Sequence, residues 1–137
     1  MNTKILYIDN DIASYILVSE ILEGCNVEII HTRCGLLAIQ MFKLSPIDLI
    51  ITELILPNMD GFGILREVRK NDPQVPVIAQ TANVVNNMKY TCLNAGFNEY
   101  IPKPIDLKYF TSILNKYIQN SNIMEFEDSY SQQFIQK

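Results

Sequence analysis

The sequence predicts an α/β domain, a doubly wound five-stranded parallel sheet in a three-layer sandwich. Three observations carry that prediction. Short apolar runs alternate five times with segments whose apolar residues recur at helical spacing. One run, Leu49 through Leu56, is apolar but for Thr52 and Glu53, as in a strand buried on both faces of a parallel sheet. The connections between segments are short and rich in Gly, Pro, Asn and Asp.

The first strand is Lys4 to Ile8, broken by Asp9-Asn10-Asp11, three short polar residues suited to a strand-end loop and a helix cap. From Ile12 the period becomes helical, with Leu17, Val18, Ile21 and Leu22 on one face and Gly24 as the stop. Asn26 to His31 reads as the second strand. Gly35 to Leu44 reads as the second helix, turning Ala38, Met41 and Phe42 inward before Ser45-Pro46. The third strand is the run from Asp48, which ends at Glu53 and passes into the turn Pro57-Asn58-Met59-Asp60-Gly61. Phe62 to Lys70 is helical, with Ile64, Leu65 and Val68 inward, and stops at Asn71-Asp72-Pro73. Val75 to Gln80 is the fourth strand, with Pro76 tolerated near its start and the polar Thr81 after it. The fourth helix is expected from Val84 to Ala95, with Met88 and Cys92 inward and Gly96 as its C-cap. Asn98 to Ile101 is a brief fifth strand before Pro102-Lys103-Pro104, and Leu107, Phe110, Leu114 and Tyr117 mark the last helix. Right-handed crossovers leave the flavodoxin-like (βα)5 arrangement as the natural topology.

The totals narrow the function classes. A chain of 137 residues, 48% hydrophobic and 19% charged, builds one domain with its own core. A net charge of -4 with no basic stripe argues against a nucleic-acid-binding surface. Cys25, Cys34 and Cys92 show no metal spacing and read as reduced, structural thiols. No apolar run reaches membrane-spanning length and no signal peptide precedes the first strand, so a soluble cytoplasmic protein is expected. Residues 120–137 stand apart from the domain at 1–119. Ile123, Phe126, Tyr130 and Phe134 recur at helical spacing behind a capping pair, Asn122 and Glu125; an amphipathic helix and a polar tail both fit.

In an open α/β sheet, chemistry sits beyond the carboxyl ends of the strands. The polar residues leaving those ends are Asp9 and Asn10, Glu53, Thr81 and Lys103. Together they describe an acidic pocket with one hydroxyl and one ammonium, a cage for an oxygen-liganded cation and a phosphoryl group.

At these residues the chain resembles the receiver domains of two-component response regulators. The matching pieces are Ile5 through Asp11, Asp48-Leu49-Ile50 with Leu56 through Gly61, Ala79-Gln80-Thr81-Ala82, Ala95-Gly96, and Tyr100 through Pro104. They cover residues 4 to about 119, and the stretch from Thr81 to Ile105 is especially similar to receivers attached to hybrid histidine kinases. The resemblance implies an acceptor aspartate after the third strand that takes a phosphoryl group from a phosphohistidine. It implies an acidic pair that holds Mg2+, a Thr and a Lys that bind the phosphoryl oxygens, and an aromatic that turns inward as the Thr moves. Thr81, Lys103 and Tyr100 match the last three roles, and the Lys103-Pro104 bond is expected to be cis. The implied partners are a histidine kinase, a phosphotransfer protein or an output protein. They would dock on the face of the fourth helix, fifth strand and fifth helix, where a homodimer also forms.

Two positions depart from the family pattern. Glu53 stands at the acceptor aspartate, and Asn10 stands at the second acid. The extra methylene of Glu53 moves its carboxylate by about 1.5 Å, and in-line transfer loses ~10²-fold for ~1 Å of misplacement. Asn10 keeps an oxygen but removes a charge, so a site built from Asp9, Asn10 and Glu53 holds Mg2+ weakly. Both changes point away from phosphorylation. The leading expectation is a non-enzymatic binding module, an atypical receiver that signals by protein contact; the alternative is a Mg2+-dependent receiver that takes phosphate on Glu53. A nucleotide enzyme is disfavoured, because no Gly-x-Gly-x-x-Gly or Gly-Lys-Ser/Thr loop follows any strand. No output-domain pattern follows residue 119, so the expected action is through a separate protein.

Overall fold

In the computed structural model, which describes residues 2–118, the apolar runs form five strands and the periodic segments five helices. They alternate as β1 (Thr3–Ile8), α1 (Ile12–Ile21), β2 (Val27–Thr32), α2 (Gly35–Leu44), β3 (Leu49–Thr52), α3 (Gly61–Asn71), β4 (Val77–Thr81), α4 (Met88–Ala95), β5 (Glu99–Pro102) and α5 (Leu107–Leu114). All strand pairs are parallel and the sheet order is β2-β1-β3-β4-β5. The chain therefore winds outward from β1 to β2, then returns to lay β3 on the other side of β1. This reversal separates the loops after β1 and β3 and opens a crevice at their carboxyl ends.

Period-two alternation splits the strand side chains between two cores. Leu6, Ile8, Ile50, Val77, Ala79 and Tyr100 pack with Ile64, Leu65 and Val68 of α3 and Cys92 of α4. Ile5, Tyr7, Leu49, Ile51, Ile78 and Ile101 face the opposite layer, where Val18 and Ile21 of α1 meet Phe110, Ile113 and Leu114 of α5. The central strand β3 is buried along its whole length, which is why it reads as an unbroken apolar run.

Among the caps, Asp11 and Gly96 are those the sequence announces. Asp11 caps α1 by accepting from the Ala13 amide, Asp60 caps α3 through Gly63, and Asp106 caps α5 through Tyr109. Gly96 closes α4 in the left-handed region at φ 119, and the Lys103-Pro104 bond is cis. One element departs from expectation. The helix expected from Val84 starts only at Met88, because Asn87 adopts a left-handed backbone at φ 57. Asn83 is also tied to the strand ends, its amide donating to Thr81 Oγ1 and its carbonyl accepting from the Tyr100 hydroxyl. Val84 and Val85, which share helical spacing with Met88, stay exposed on the loop. The last helix, expected to carry its apolar stripe to Tyr117, ends at Leu114 and passes into turns at 115–117; the other strand and helix ends agree with the sequence reading to within two residues. The tail at 120–137, with its candidate helix, lies outside the described residues.

Gly61 is required where the α3 N-terminus passes under the end of β3. A Cβ there would lie 2.7 Å from the Glu53 carbonyl oxygen and 3.0 Å from Leu54 Cα. Both obstacles are backbone, so Gly61→Ala should lose about 1–3 kcal/mol of stability in urea denaturation. Native-like stability in that variant would mean that the loop after Glu53 yields freely.

Candidate functional site

Backbone hydrogen bonds carry the sheet pattern one step past the strands and aim the polar residues at one another. The Asp9 amide donates to the Thr32 carbonyl, that of Glu53 to Ile8, and that of Lys103 to Thr81. The exits of β2, β1 and β3 are thereby held in register, as are those of β4 and β5, and Asp9, Glu53, Thr81 and Lys103 gather at the carboxyl edge. Asp9, Glu53 and Thr81 are all buried.

The centre of the site is one ammonium between two carboxylates. Lys103 Nζ lies 2.7 Å from Asp9 Oδ2 and 3.2 Å from Glu53 Oε1. The remaining carboxylate oxygens also have donors. Asp9 Oδ1 accepts from the Asp11 amide at 2.9 Å, and Glu53 Oε2 accepts from the Leu54 amide at 2.6 Å. The Tyr7 hydroxyl, from inside the sheet, adds a longer bond of 3.3 Å to Asp9 Oδ2. Burial opposes the charge on Lys103, but the bond to Asp9, its negative charge and that of Glu53 outweigh it and raise the lysine above its ordinary range.

Asn10, the residue beside this pair, turns away from it. Its side chain is exposed and its Oδ1 accepts from Arg33 Nε at 3.2 Å. Among the described residues no cluster of three His, Cys, Asp or Glu side chains has metal-holding geometry. As arranged, the donor set is a weak one for a hard divalent cation. Each carboxylate oxygen is already engaged, and the amide oxygen that would complete the set faces a guanidinium.

Thr81 and Tyr100 meet through the loop after β4. Thr81 Oγ1 accepts from the Asn83 amide at 3.0 Å, and the Tyr100 hydroxyl donates to the Asn83 carbonyl at 3.1 Å. Tyr100 is turned inward, 6% exposed, against the α3 and α4 side of the sheet.

Several participants escape a reading of strand-end residues alone. Tyr7 and Gln80 are buried polar side chains within otherwise apolar strands, and Gln80 Nε2 donates to the Tyr7 oxygen at 2.5 Å. Burial, followed by the Asp9 charge, drives the Tyr7 phenol far above the ordinary tyrosine range and keeps it a donor. His31 stacks on Tyr15 with ring centres 4.2 Å apart and donates from Nε2 to the Asp9 carbonyl at 3.0 Å. The available signal is the interruption itself: a tyrosine or glutamine inside an apolar run marks a buried hydrogen bond.

Replacing Lys103 by Met would leave two buried carboxylates facing each other, a loss of about 3–5 kcal/mol in denaturant unfolding at neutral pH. Because the folded state raises the lysine, its contribution is complete below the unfolded value of about 10.4 and disappears as pH rises through the folded value. The gap between native protein and Lys103→Met should therefore hold through neutral pH and narrow only in alkali. A gap that narrows between pH 7 and 9 would contradict this assignment.

Comparison with known proteins places the chain in a family. The response regulator receiver domain family matches residues 5–115. Hybrid signal transduction histidine kinase L of Dictyostelium discoideum is 32% identical over 127 residues, covering 87% of this chain and 7% of the kinase. Transcription factor SKN7 of Saccharomyces cerevisiae is 32% identical over 118 residues, covering 85% of this chain and 19% of that factor. The chain thus spans only a small part of these relatives. Among solved structures, the receiver domain of sensor histidine kinase PA1611 from Pseudomonas aeruginosa, with a magnesium ion coordinated in its active-site cleft, is 27% identical with a TM-score of 0.76; the match covers 85% of this chain and 98% of that one. The non-phosphorylated HemR receiver domain of Leptospira biflexa shares the fold at 24% identity and a TM-score of 0.77, over 86% of this chain and 95% of that one. With the sheet order, the strand-end pocket and the cis Lys103-Pro104 bond already in place, the chain belongs to the response regulator receiver domains of two-component signalling.

Proposed function

We propose that this receiver signals by protein–protein contact and is not an ordinary phosphoacceptor. One observation carries the reading: the Lys103 ammonium bridges Asp9 and Glu53 in a pocket whose carboxylate oxygens all have protein donors. In a conventional receiver, by the family pattern, a metal ion and a phosphoryl group supply and consume that charge. Here the longer side chain of Glu53 brings its own carboxylate to the lysine. Asn10 removes a second negative charge, so the pocket balances without a divalent cation and holds Mg2+ weakly.

The switch residues support the same reading. Tyr100 is turned inward and bonded to Asn83, the posture the family associates with the signalling state. The Glu53–Lys103 pair then acts as a fixed stand-in for the phosphorylated site. Val84, Val85, Tyr90 and Leu93 leave an exposed apolar surface along the loop before α4 and on α4 itself, part of the α4, β5 and α5 face. We assign that face to a histidine kinase, phosphotransfer or output protein, or to a second copy of the chain. The domain is a binding module in this account and performs no catalysis of its own.

Incubation with acetyl phosphate and Mg2+, followed by intact-mass measurement, tests the reading. The unaltered protein should carry no phosphoryl adduct. Asn10→Asp combined with Glu53→Asp should acquire one, because it restores both the acid pair and the acceptor length. An adduct on the unaltered protein that maps to Glu53 would overturn the proposal in favour of a working Mg2+-dependent acceptor.

A further inference from the structure

Two buried polar residues remain that neither packing nor the strand-end pocket explains. Tyr7 lies in β1 and Gln80 in β4, both 1% exposed, on opposite sides of the central strand β3. Every other buried residue of β1, and Ile78 beside Gln80 on the same face, is apolar. An apolar pair of similar size would satisfy this core at lower cost, since a buried polar group needs its partners. Gln80 nevertheless commits its Nε2 to the Tyr7 oxygen at 2.5 Å, and its Oε1 has no partner among the described residues.

The consequence of that arrangement is the position of one hydroxyl. The Tyr7 ring is confined by Tyr15 and His31, with ring centres 6.2 and 5.9 Å away. Its oxygen accepts from Gln80, which leaves its proton to point at Asp9 Oδ2 at 3.3 Å. His31 meanwhile grips the Asp9 carbonyl. Asp9 is held from below by Tyr7 and from above by Lys103, at the same carboxylate oxygen.

We propose that Tyr7, aligned by Gln80, is a positioning residue that keeps Asp9 turned toward Lys103 and lowers the pocket's affinity for a divalent cation. The proposal rests on the reading of the site as internally neutralised and names the group that enforces it. The physical reason is donor competition. A hydroxyl on Oδ2 both occupies a lone pair and withdraws negative charge from the one oxygen Asp9 shares with the lysine. A cation entering there must displace two donors instead of one.

Magnesium chloride titrations followed by amide NMR shifts, on the full chain, test it. The aromatic count includes no Trp, so a tryptophan signal is not an option. Tyr7→Phe keeps the ring and removes only the hydroxyl. It should tighten Mg2+ binding about three- to tenfold, the range for one charge-assisted hydrogen bond at long distance, and should shift the Asp9 carboxyl carbon resonance. Gln80→Leu should move both readouts the same way by a smaller factor, and should add nothing on the Tyr7→Phe background. Unchanged or weaker Mg2+ affinity in Tyr7→Phe overturns the proposal; if that variant does not fold, Gln80→Leu decides by the same criterion. The underlying reading is judged separately, by the unaltered protein against Asn10→Asp with Glu53→Asp. If those two bind Mg2+ equally well, the reading fails, whatever Tyr7 does.

Discussion

Two carboxylates and one ammonium at the end of a parallel sheet set the terms for the rest of this domain. Asp9 and Glu53 leave neighbouring strands, both are buried, and Lys103 reaches them from two strands beyond β3. Like charges at such a depth repel strongly unless a positive group stands between them. The lysine supplies it, and the cis bond after it accompanies the turn that sends the chain from β5 toward α5. Remove the ammonium and the arrangement at the carboxyl edge has no internal balance.

The frame serves that interaction with little freedom to spare. Strand register fixes where each exit begins, and the amides of Asp9, Glu53 and Lys103 extend the register past the last residue of each strand. Gly61 admits the α3 N-terminus against the Glu53 carbonyl, so the backbone at Glu53 is closely backed. On the same side of the sheet, beyond β3, Tyr100 and Thr81 converge on one residue, Asn83. The charge at the pocket and the conformation of the loop before α4 are therefore neighbours through Thr81.

Much of this was legible from residue order alone, for physical reasons that differ from element to element. β3 was readable because burial on both faces demands continuous apolar residues, and Asp11 and Gly96 because helix ends need particular side chains. Glu53, Thr81 and Lys103 were found because a doubly wound sheet concentrates chemistry at strand ends. The start of α4 was not readable. Val84 and Val85 carry helical spacing, but the tie of Asn83 to Thr81 and Tyr100 is a tertiary constraint that local pattern does not encode. Asn10 was grouped with the pocket by position, whereas its side chain pairs with Arg33, a residue from another strand exit. Tyr7 and Gln80 were not read as partners, because their hydrogen bond spans 73 positions in the chain.

The central claim is that Lys103 takes the place of a cation between Asp9 and Glu53. It is tested most directly by NMR observation of the Lys103 side-chain ammonium itself. The account predicts a resolved, slowly exchanging Nζ resonance that keeps its shift in the presence of millimolar Mg2+. Its disappearance or displacement at low Mg2+, with the lysine released to solvent, would show a metal centre there instead and contradict the account.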